Sequence, residues 1–134
     1  MTNFKFSRRS EDNLQGVHPD LVKVVRLALT LSKRDFTVIE GLRTPARQQQ
    51  LLRQGATKTL NSRHLTGHAI DIVPYPLDWH DKTAFGELAK VMFEASRQLK
   101  IPIRWGGDWN RNGRSDDETF YDGPHFELLK AVYP

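Results

Sequence analysis

One carboxylate interrupts a short run of aliphatic residues in the middle of this chain. Residues 69–73 have the sequence Ala-Ile-Asp-Ile-Val, and Pro74 and Pro76 follow them closely. The β-branched residues predict a strand that the prolines end. Because the side chains of a strand alternate between its two faces, the two isoleucines face the core and Asp71 lies on the opposite face. A carboxylate among aliphatic neighbours needs a partner, so we expect Asp71 to bind one.

Two histidines are placed where they can reach this carboxylate. His64 precedes the strand, and Gly67 permits the tight turn that brings His64 back over the same face. Near the C-terminus, the segment His-Phe-Glu-Leu predicts another short strand, in which His125 and Glu127 share a face. If the two strands are neighbours, Asp71 and His125 converge. Three protein ligands on a zinc ion leave one coordination position open, which is typical of catalytic sites.

A further carboxylate lies beside this group. Asp122 is three residues before His125, close enough to take a proton from water without binding the metal. It is therefore a candidate general base and, later in the reaction, a general acid toward the leaving amine. Glu127 is expected to orient His125 through a hydrogen bond to its ring.

The remaining patterns predict an α+β fold, in which a small antiparallel sheet packs with helices. We expect the 134 residues to form one domain, 1–134, without a separate cell-wall-binding domain. Residues 56–68 and the polar stretch after the third strand are expected to be mostly loop. The predicted helices are 19–32, 45–54 and 81–99, and the predicted strands are 36–42, 69–73, 103–105 and 125–128.

Composition excludes several classes of protein. The chain has no cysteine, so disulfides, thiolate-bound zinc and a thiol nucleophile are excluded. No apolar run is long enough for a membrane span, and we expect no stable membrane insertion. The N-terminal residues show no signal peptide, which predicts synthesis in the cytoplasm. We expect a monomer.

The charge is uneven along the chain. Residues 1–63 contain 12 Lys and Arg against 5 Asp and Glu, whereas residues 64–134 contain 8 against 11. A basic half can attract nucleic acid or the anionic bacterial envelope, or it can simply be a solvated surface. No helix combines clustered basic residues with aromatic ones, so we do not expect a nucleic-acid partner.

The order of the motifs resembles the signature of the D-alanyl-D-alanine carboxypeptidase and hedgehog-like zinc peptidases. Ser62 to Asp71 reads Ser-x-His-x-x-Gly-x-Ala-x-Asp, and Asp122 to His125 reads acid-x-x-His. More narrowly, the chain is similar to small phage endolysins that act as L-alanyl-D-glutamate endopeptidases. The likeness covers nearly the whole chain, and it includes the segments Val17-His-Pro-Asp20, Glu40-Gly-Leu-Arg43-Thr44, Trp105-Gly-Gly-Asp108-Trp-Asn110 and Tyr121-Asp-Gly-Pro-His125.

The resemblance implies roles for individual residues. It implies a hedgehog-like or D,D-peptidase-like fold, and it implies Asp122 as the catalytic acid and base. It also implies that Arg43 stabilises the developing oxyanion or binds substrate, although a structural ion pair is the alternative. Gln48 is expected to make polar contacts with substrate. Ser62 either positions substrate or caps its loop. The zinc ligands that the resemblance implies are His64, Asp71 and His125.

A second ion site is suggested by the segment that begins at Asp108. Asp108, Asn110, Asn112 and Asp116 match positions 1, 3, 5 and 9 of a calcium loop, but Thr119 replaces the usual glutamate. The resemblance to phage endolysins implies a calcium-responsive loop here. The alternative is a loop of Asx turns that binds no calcium.

We therefore predict a zinc endolysin whose partner is bacterial peptidoglycan. It would hydrolyse the L-alanyl-D-glutamate bond of the stem peptides, reach the periplasm and cell wall after release through a holin pore, and lyse the host. The alternatives are a D,D- or L,D-carboxypeptidase on the same scaffold and a non-catalytic zinc-containing binding module. Free D-alanine among the products would favour the carboxypeptidase.

Overall fold

The two central strands of the sheet carry most of the predicted metal ligands. In the computed structural model of the chain, the described residues are 4–55, 62–114 and 121–134. The strands are β1 (Phe36–Glu40), β2 (Ala69–Pro74), β3 (Ile103–Trp105) and β4 (His125–Leu128), in the order β1-β2-β4-β3. All three pairings are antiparallel, and Asp71 of β2 is directly opposite His125 of β4. The predicted α+β class is confirmed, and β2 and β4 are paired, which is the condition for Asp71 and His125 to converge.

Helices surround this sheet. They are α1 (Arg8–Asn13), α2 (Pro19–Leu31), α3 (Pro45–Arg53) and α4 (Lys82–Leu99), together with a 3-10 helix at Arg63–Thr66. The predicted capping of α3 is confirmed, because the Thr44 side chain accepts a hydrogen bond from the amide of Arg47. The predicted bounds of α2, α3 and α4 are correct to within one residue at each end.

Two local predictions were wrong. The strand predicted over 36–42 ends at Glu40, and a β-bulge between Val38 and Glu40 shifts its register with β2. Helix α1 was not predicted; it has six residues, too few for a clear hydrophobic period. It lies along β1, where Ser10 accepts a hydrogen bond from the Val38 amide and Asn13 donates one to the Val38 carbonyl.

The hydrophobic core lies between one face of the sheet and helices α2 and α4. Ile70 and Ile72 of β2 are fully buried in it, as the alternation of β2 predicts. Asp71, between them, belongs to the opposite face, so the core fixes the direction of this carboxylate. The other members of the core on these elements include Leu21, Val24, Val25, Leu88, Met92, Phe126 and Leu128.

Among the described residues, no helix is both long enough and apolar enough to cross a membrane. The expectation of a single domain over residues 1–134 stays a prediction.

Candidate metal centre

His64, Asp71 and His125 meet on the polar face of the sheet. One potential ligand atom from each lies within 4.8 Å of the other two, which makes the three residues a group that could hold a metal ion. The Asp71 Oδ1 atom is 3.2 Å from Nε2 of His64 and 3.5 Å from Nδ1 of His125. The three residues come from the 3-10 helix, β2 and β4, and the structure brings together the set that the sequence predicts.

A tight turn holds His64 in this position. Ser62 caps the 3-10 helix by accepting a hydrogen bond from the His64 amide at 3.2 Å. The helix ends at Gly67, whose φ of 75° is left-handed, and a Cβ there would lie 2.4 Å from the Gly16 carbonyl oxygen. The predicted need for glycine at this turn is confirmed. Ser62 makes the loop cap that was one of its two predicted roles, while its contact with substrate stays a prediction.

Hydrogen bonds fix which ring nitrogen of each histidine faces Asp71. Nδ1 of His64 is 2.9 Å from the carbonyl oxygen of Gly41, which can only accept. Nε2 of His125 is 2.8 Å from a carboxylate oxygen of Glu127. Each of these nitrogens therefore carries a hydrogen, so in the neutral imidazole that would bind a metal the lone pair is on the nitrogen that faces Asp71. This donor set, two imidazole nitrogens and a carboxylate oxygen, fits a zinc ion.

The buried charges of this group are strongly coupled. Burial alone would raise the pKa of Asp71, but the charges of the two imidazoles and their hydrogen bonds hold it well below its usual range. Burial opposes a charge on His125, yet hydrogen bonds to Asp71 and Glu127 outweigh it and raise the pKa of His125 to about 9. The His125 hydrogen bond also overcomes burial to lower the pKa of Glu127. The site therefore favours a positive charge between these carboxylates.

Asp122 lies beside the group, close enough for its carboxyl group to feel the charges of Asp71 and the two histidines. Burial and the negative charge of Asp71 raise the pKa of Asp122 to about 6, although nearby cationic groups partly offset both. A carboxyl group with a pKa near neutrality can both accept and release a proton at physiological pH. Gly106 permits this packing, because a Cβ there would lie 2.3 Å from the Asp122 carbonyl oxygen and 3.0 Å from the His125 Cβ.

Arg43 is held at the edge of the site by Glu40 and Gln48. Its Nε and Nη2 atoms donate to the two Glu40 carboxylate oxygens at 2.7 and 2.9 Å, and Nη1 donates to Gln48 Oε1 at 2.7 Å. Nη2 also lies 3.7 Å from Asp71 Oδ2. The structural ion pair considered for Arg43 is therefore present. Gln48 is 1% exposed, and its predicted contact with substrate is untested.

Sequence reasoning missed two neighbours of the site. Glu40 holds Arg43, and its only signal was the spacing of an acid three residues before an arginine. Trp109 lies against His125, with ring centroids 5.1 Å apart, and the Arg104 guanidinium lies over the Trp109 ring, 5.0 Å from its centroid. Trp109 belongs to a segment that carries the family resemblance, but nothing in its spacing indicated contact with His125.

Only part of the predicted calcium loop lies within the residues that the structure describes. The two carboxylate oxygens of Asp108 accept hydrogen bonds from the amides of Asn112 and Gly113, at 3.1 and 2.8 Å. This is the Asx-type geometry of the alternative interpretation, but each oxygen keeps a second lone pair for an ion. Asn110 is exposed, and Asp116 lies outside the described residues. Calcium binding here stays a prediction.

Comparisons with known proteins identify the family of this chain. Residues 1–129 match the model of the family described as phage L-alanyl-D-glutamate peptidase. The chain is 42% identical to the L-alanyl-D-glutamate peptidase of Escherichia phage T5, over 95% of this chain and 99% of that protein. It is 28% identical to the L-alanyl-D-glutamate peptidase of Listeria phage A118, over 99% of this chain but only 45% of that protein.

A solved structure shares the fold at high similarity. The Serratia marcescens L-Ala D-Glu endopeptidase ChiX superposes with a TM-score of 0.85 at 46% sequence identity, covering 98% of this chain and 94% of that one. Family match, sequence identity and shared fold all extend over almost the whole chain. The chain therefore belongs to the phage L-alanyl-D-glutamate peptidase family.

Proposed function

We propose that this chain is a zinc endopeptidase that hydrolyses the L-alanyl-D-glutamate bond of bacterial peptidoglycan stem peptides. The observation that carries the proposal is the meeting of two imidazoles and a carboxylate, with their lone pairs on one side, next to an uncoordinated carboxyl group. Family membership supports the choice of bond, because the relatives at 42% and 46% identity carry the names of enzymes for this bond.

Each residue of the site has a distinct task in this reaction. His64, Asp71 and His125 would hold the zinc. When bound, zinc supplies Lewis-acid chemistry, in that it lowers the pKa of water to about 7 and polarises a carbonyl group. Asp122 takes the proton of the attacking water and later gives it to the amine of D-glutamate. The Arg43 guanidinium stabilises the negative charge that develops on the carbonyl oxygen.

Gln48 and Ser62 are the remaining residues that we propose act in substrate binding. Gln48 acts mainly through Arg43, because its side-chain oxygen accepts from that guanidinium and its side chain is almost fully buried. Ser62 is half-buried at the rim of the centre, and its hydroxyl is assigned to substrate positioning in addition to its cap.

The proposed place of action follows from the substrate. The enzyme would be made in the host cytoplasm, pass through a holin pore, and cleave peptidoglycan in the periplasm and cell wall until the host lyses. It would act as a monomer.

The decisive experiment is product analysis combined with metal analysis. Purified protein is expected to contain about one zinc per chain. Digestion of purified peptidoglycan should produce fragments with a new amino group on D-glutamate, which mass spectrometry of labelled amines detects. Release of free D-alanine would instead identify a D,D- or L,D-carboxypeptidase, and absence of any cleavage by zinc-loaded protein would favour a binding module.

We also propose that calcium binds the loop at Asp108, Asn110, Asn112 and Asp116. This would order the chain beside Asp122 and His125, so activity would rise on leaving the low-calcium cytoplasm. The support is the ligand spacing and the lone pairs left on Asp108. Unchanged stability and turnover after excess calcium is added to chelator-treated, zinc-reloaded enzyme would eliminate this part of the proposal.

A further inference from the structure

An exposed aromatic segment follows the strand that carries Asp71 and has no task in the reaction described above. Residues 75–79, Tyr-Pro-Leu-Asp-Trp, connect β2 to α4. Tyr75 is 69% exposed, Leu77 46% and Trp79 56%. Apolar side chains concentrated at the surface in one short segment are typical of a binding site, whereas scattered ones need no explanation.

The segment is linked to the loop that carries Asp122 through one buried ring. The indole of Trp79 is stacked on the ring of Phe85, with centroids 5.9 Å apart and planes 18° apart. Phe85 packs in turn against Gly123, where a Cβ would lie 3.1 Å from Phe85 Cγ. Gly123 directly follows Asp122. One buried ring therefore separates the exposed indole from the backbone that carries the proposed acid and base.

Hydrogen bonds hold this segment in one conformation. The Tyr75 amide donates to the Asp35 carbonyl at 2.9 Å. Asp78 accepts from the His80 amide through its side chain and from the Asp81 amide through its carbonyl, at 2.9 and 3.0 Å. A ligand that binds a surface fixed in this way loses little free energy to ordering of the loop.

The substrate of the proposed reaction requires a sugar near the scissile bond. In peptidoglycan, the amine of the stem L-alanine is joined to the lactyl group of a glycan amino sugar. The alanine and the lactyl group therefore separate the sugar ring from the cleaved carbonyl, which is about two residue lengths, or roughly 7 Å. The C–H face of a sugar ring carries partial positive charge and stacks on the electron-rich face of an aromatic ring.

We propose that Trp79, with Tyr75 and Leu77 beside it, is a platform for the amino-sugar rings of the glycan strand. This rests on the proposed function, because it places the sugar of the same substrate. The platform would select stem peptides that are still attached to glycan over free peptides in the periplasm.

Two soluble substrates that share the scissile bond test this platform. One is a disaccharide-linked stem peptide from purified peptidoglycan, and the other is the same stem peptide without sugar. Wild-type enzyme is expected to have the higher kcat/KM for the sugar-linked substrate. Trp79→Ala should lower kcat/KM for the sugar-linked substrate by roughly tenfold, the value of one aromatic stacking contact, and leave that for the free peptide unchanged.

Matched variants separate the platform from general effects. Trp79→Phe keeps an aromatic face and should retain most of the preference. Phe93→Ala removes an aromatic side chain of 36% exposure further along α4 and should leave both rates unchanged. Thermal unfolding of each variant checks that the fold is intact. Independently of activity, N-acetylglucosamine oligomers should quench tryptophan fluorescence of wild type more than that of Trp79→Ala.

The other outcomes overturn the platform. Equal losses of kcat/KM on both substrates in Trp79→Ala would mean that Trp79 only supports the Asp122 loop. Unchanged rates on both would mean that the segment binds a partner of another kind, such as a protein or a membrane, or none. Cleavage of neither substrate by the wild type would refute the proposed function itself, whereas efficient cleavage of both with no sugar preference refutes the platform alone.

Discussion

Replacing Glu127 by glutamine measures what the buried carboxylate behind His125 contributes to metal binding. The Glu127 side chain is 4% exposed, and one of its oxygens lies 2.8 Å from Nε2 of His125. Glutamine keeps the length of the side chain and one oxygen acceptor for His125, so the exchange removes the charge and the acceptor that faces Arg104. A neutral acceptor makes a hydrogen bond roughly half as strong as a carboxylate does.

We expect the zinc dissociation constant to rise by about tenfold. Loss of a group that hydrogen-bonds a metal-ligating histidine costs roughly 10- to 100-fold in metal affinity. The Glu127 carboxylate also lies 3.1 Å from Arg104 and 3.9 Å from Arg63, so its charge is already partly neutralised. The effect should therefore fall at the lower end of that range, about 1.4 kcal/mol.

The assay is competition with a chromophoric zinc chelator at one fixed pH, because protons and zinc compete for Nδ1 of His125. Glu87→Gln is the control, since Glu87 is an exposed carboxylate that pairs with Arg34 at 3.8 Å and should leave zinc affinity unchanged. A Glu127→Gln variant that unfolds at the wild-type temperature and binds zinc within about twofold of wild type would refute the reasoning.

Two further predictions concern the proton carrier and the turn at the site. Asp122→Asn should lower kcat by about 10²- to 10⁴-fold and leave zinc stoichiometry unchanged, as turnover and metal analysis measure; retained zinc-dependent turnover would contradict the assigned role. Gly67→Ala should lower the free energy of unfolding by about 2 kcal/mol, because a left-handed residue costs 1–2 kcal/mol and the methyl group meets the Gly16 carbonyl. Gly86→Ala, at an open position in α4, should instead raise the free energy of unfolding by about 0.5–1 kcal/mol. Urea unfolding measures both variants, and equal effects of the two substitutions would count against this account.

Strand alternation predicted the faces on which Asp71 and His125 lie, while their meeting also required β2 and β4 to be paired. In β2 it assigned Ile70 and Ile72 to the core, and once the core fixed that face Asp71 had to lie on the other. The same alternation in β4 paired His125 with Glu127, whose hydrogen bond the structure contains. These predictions depend only on neighbours within one strand, which is why the sequence could carry them.

Contacts between distant segments could not be predicted in this way. The Gly41 carbonyl that fixes the His64 ring is 23 residues away in the chain, and its position depends on the bulge near the end of β1. A bulge is one extra residue in a ladder, and periodicity does not indicate where it falls. The bulge also leaves Glu40 opposite Asp71, and this acid, which the sequence placed inside the strand, is the partner of Arg43.

Glu40 therefore deserves a test as a positioning residue. Glu40→Gln removes one of the two charges that hold the Arg43 guanidinium, which then can turn toward Asp71, 3.7 Å away. Because a misplacement of about 1 Å can cost 10²-fold in rate, we expect kcat to fall by about 10- to 100-fold while KM changes little. Glu94→Gln is the matched control, since Glu94 and Arg97 have the same three-residue spacing but are exposed. A rise in KM with unchanged kcat would show instead that Arg43 acts on substrate affinity alone.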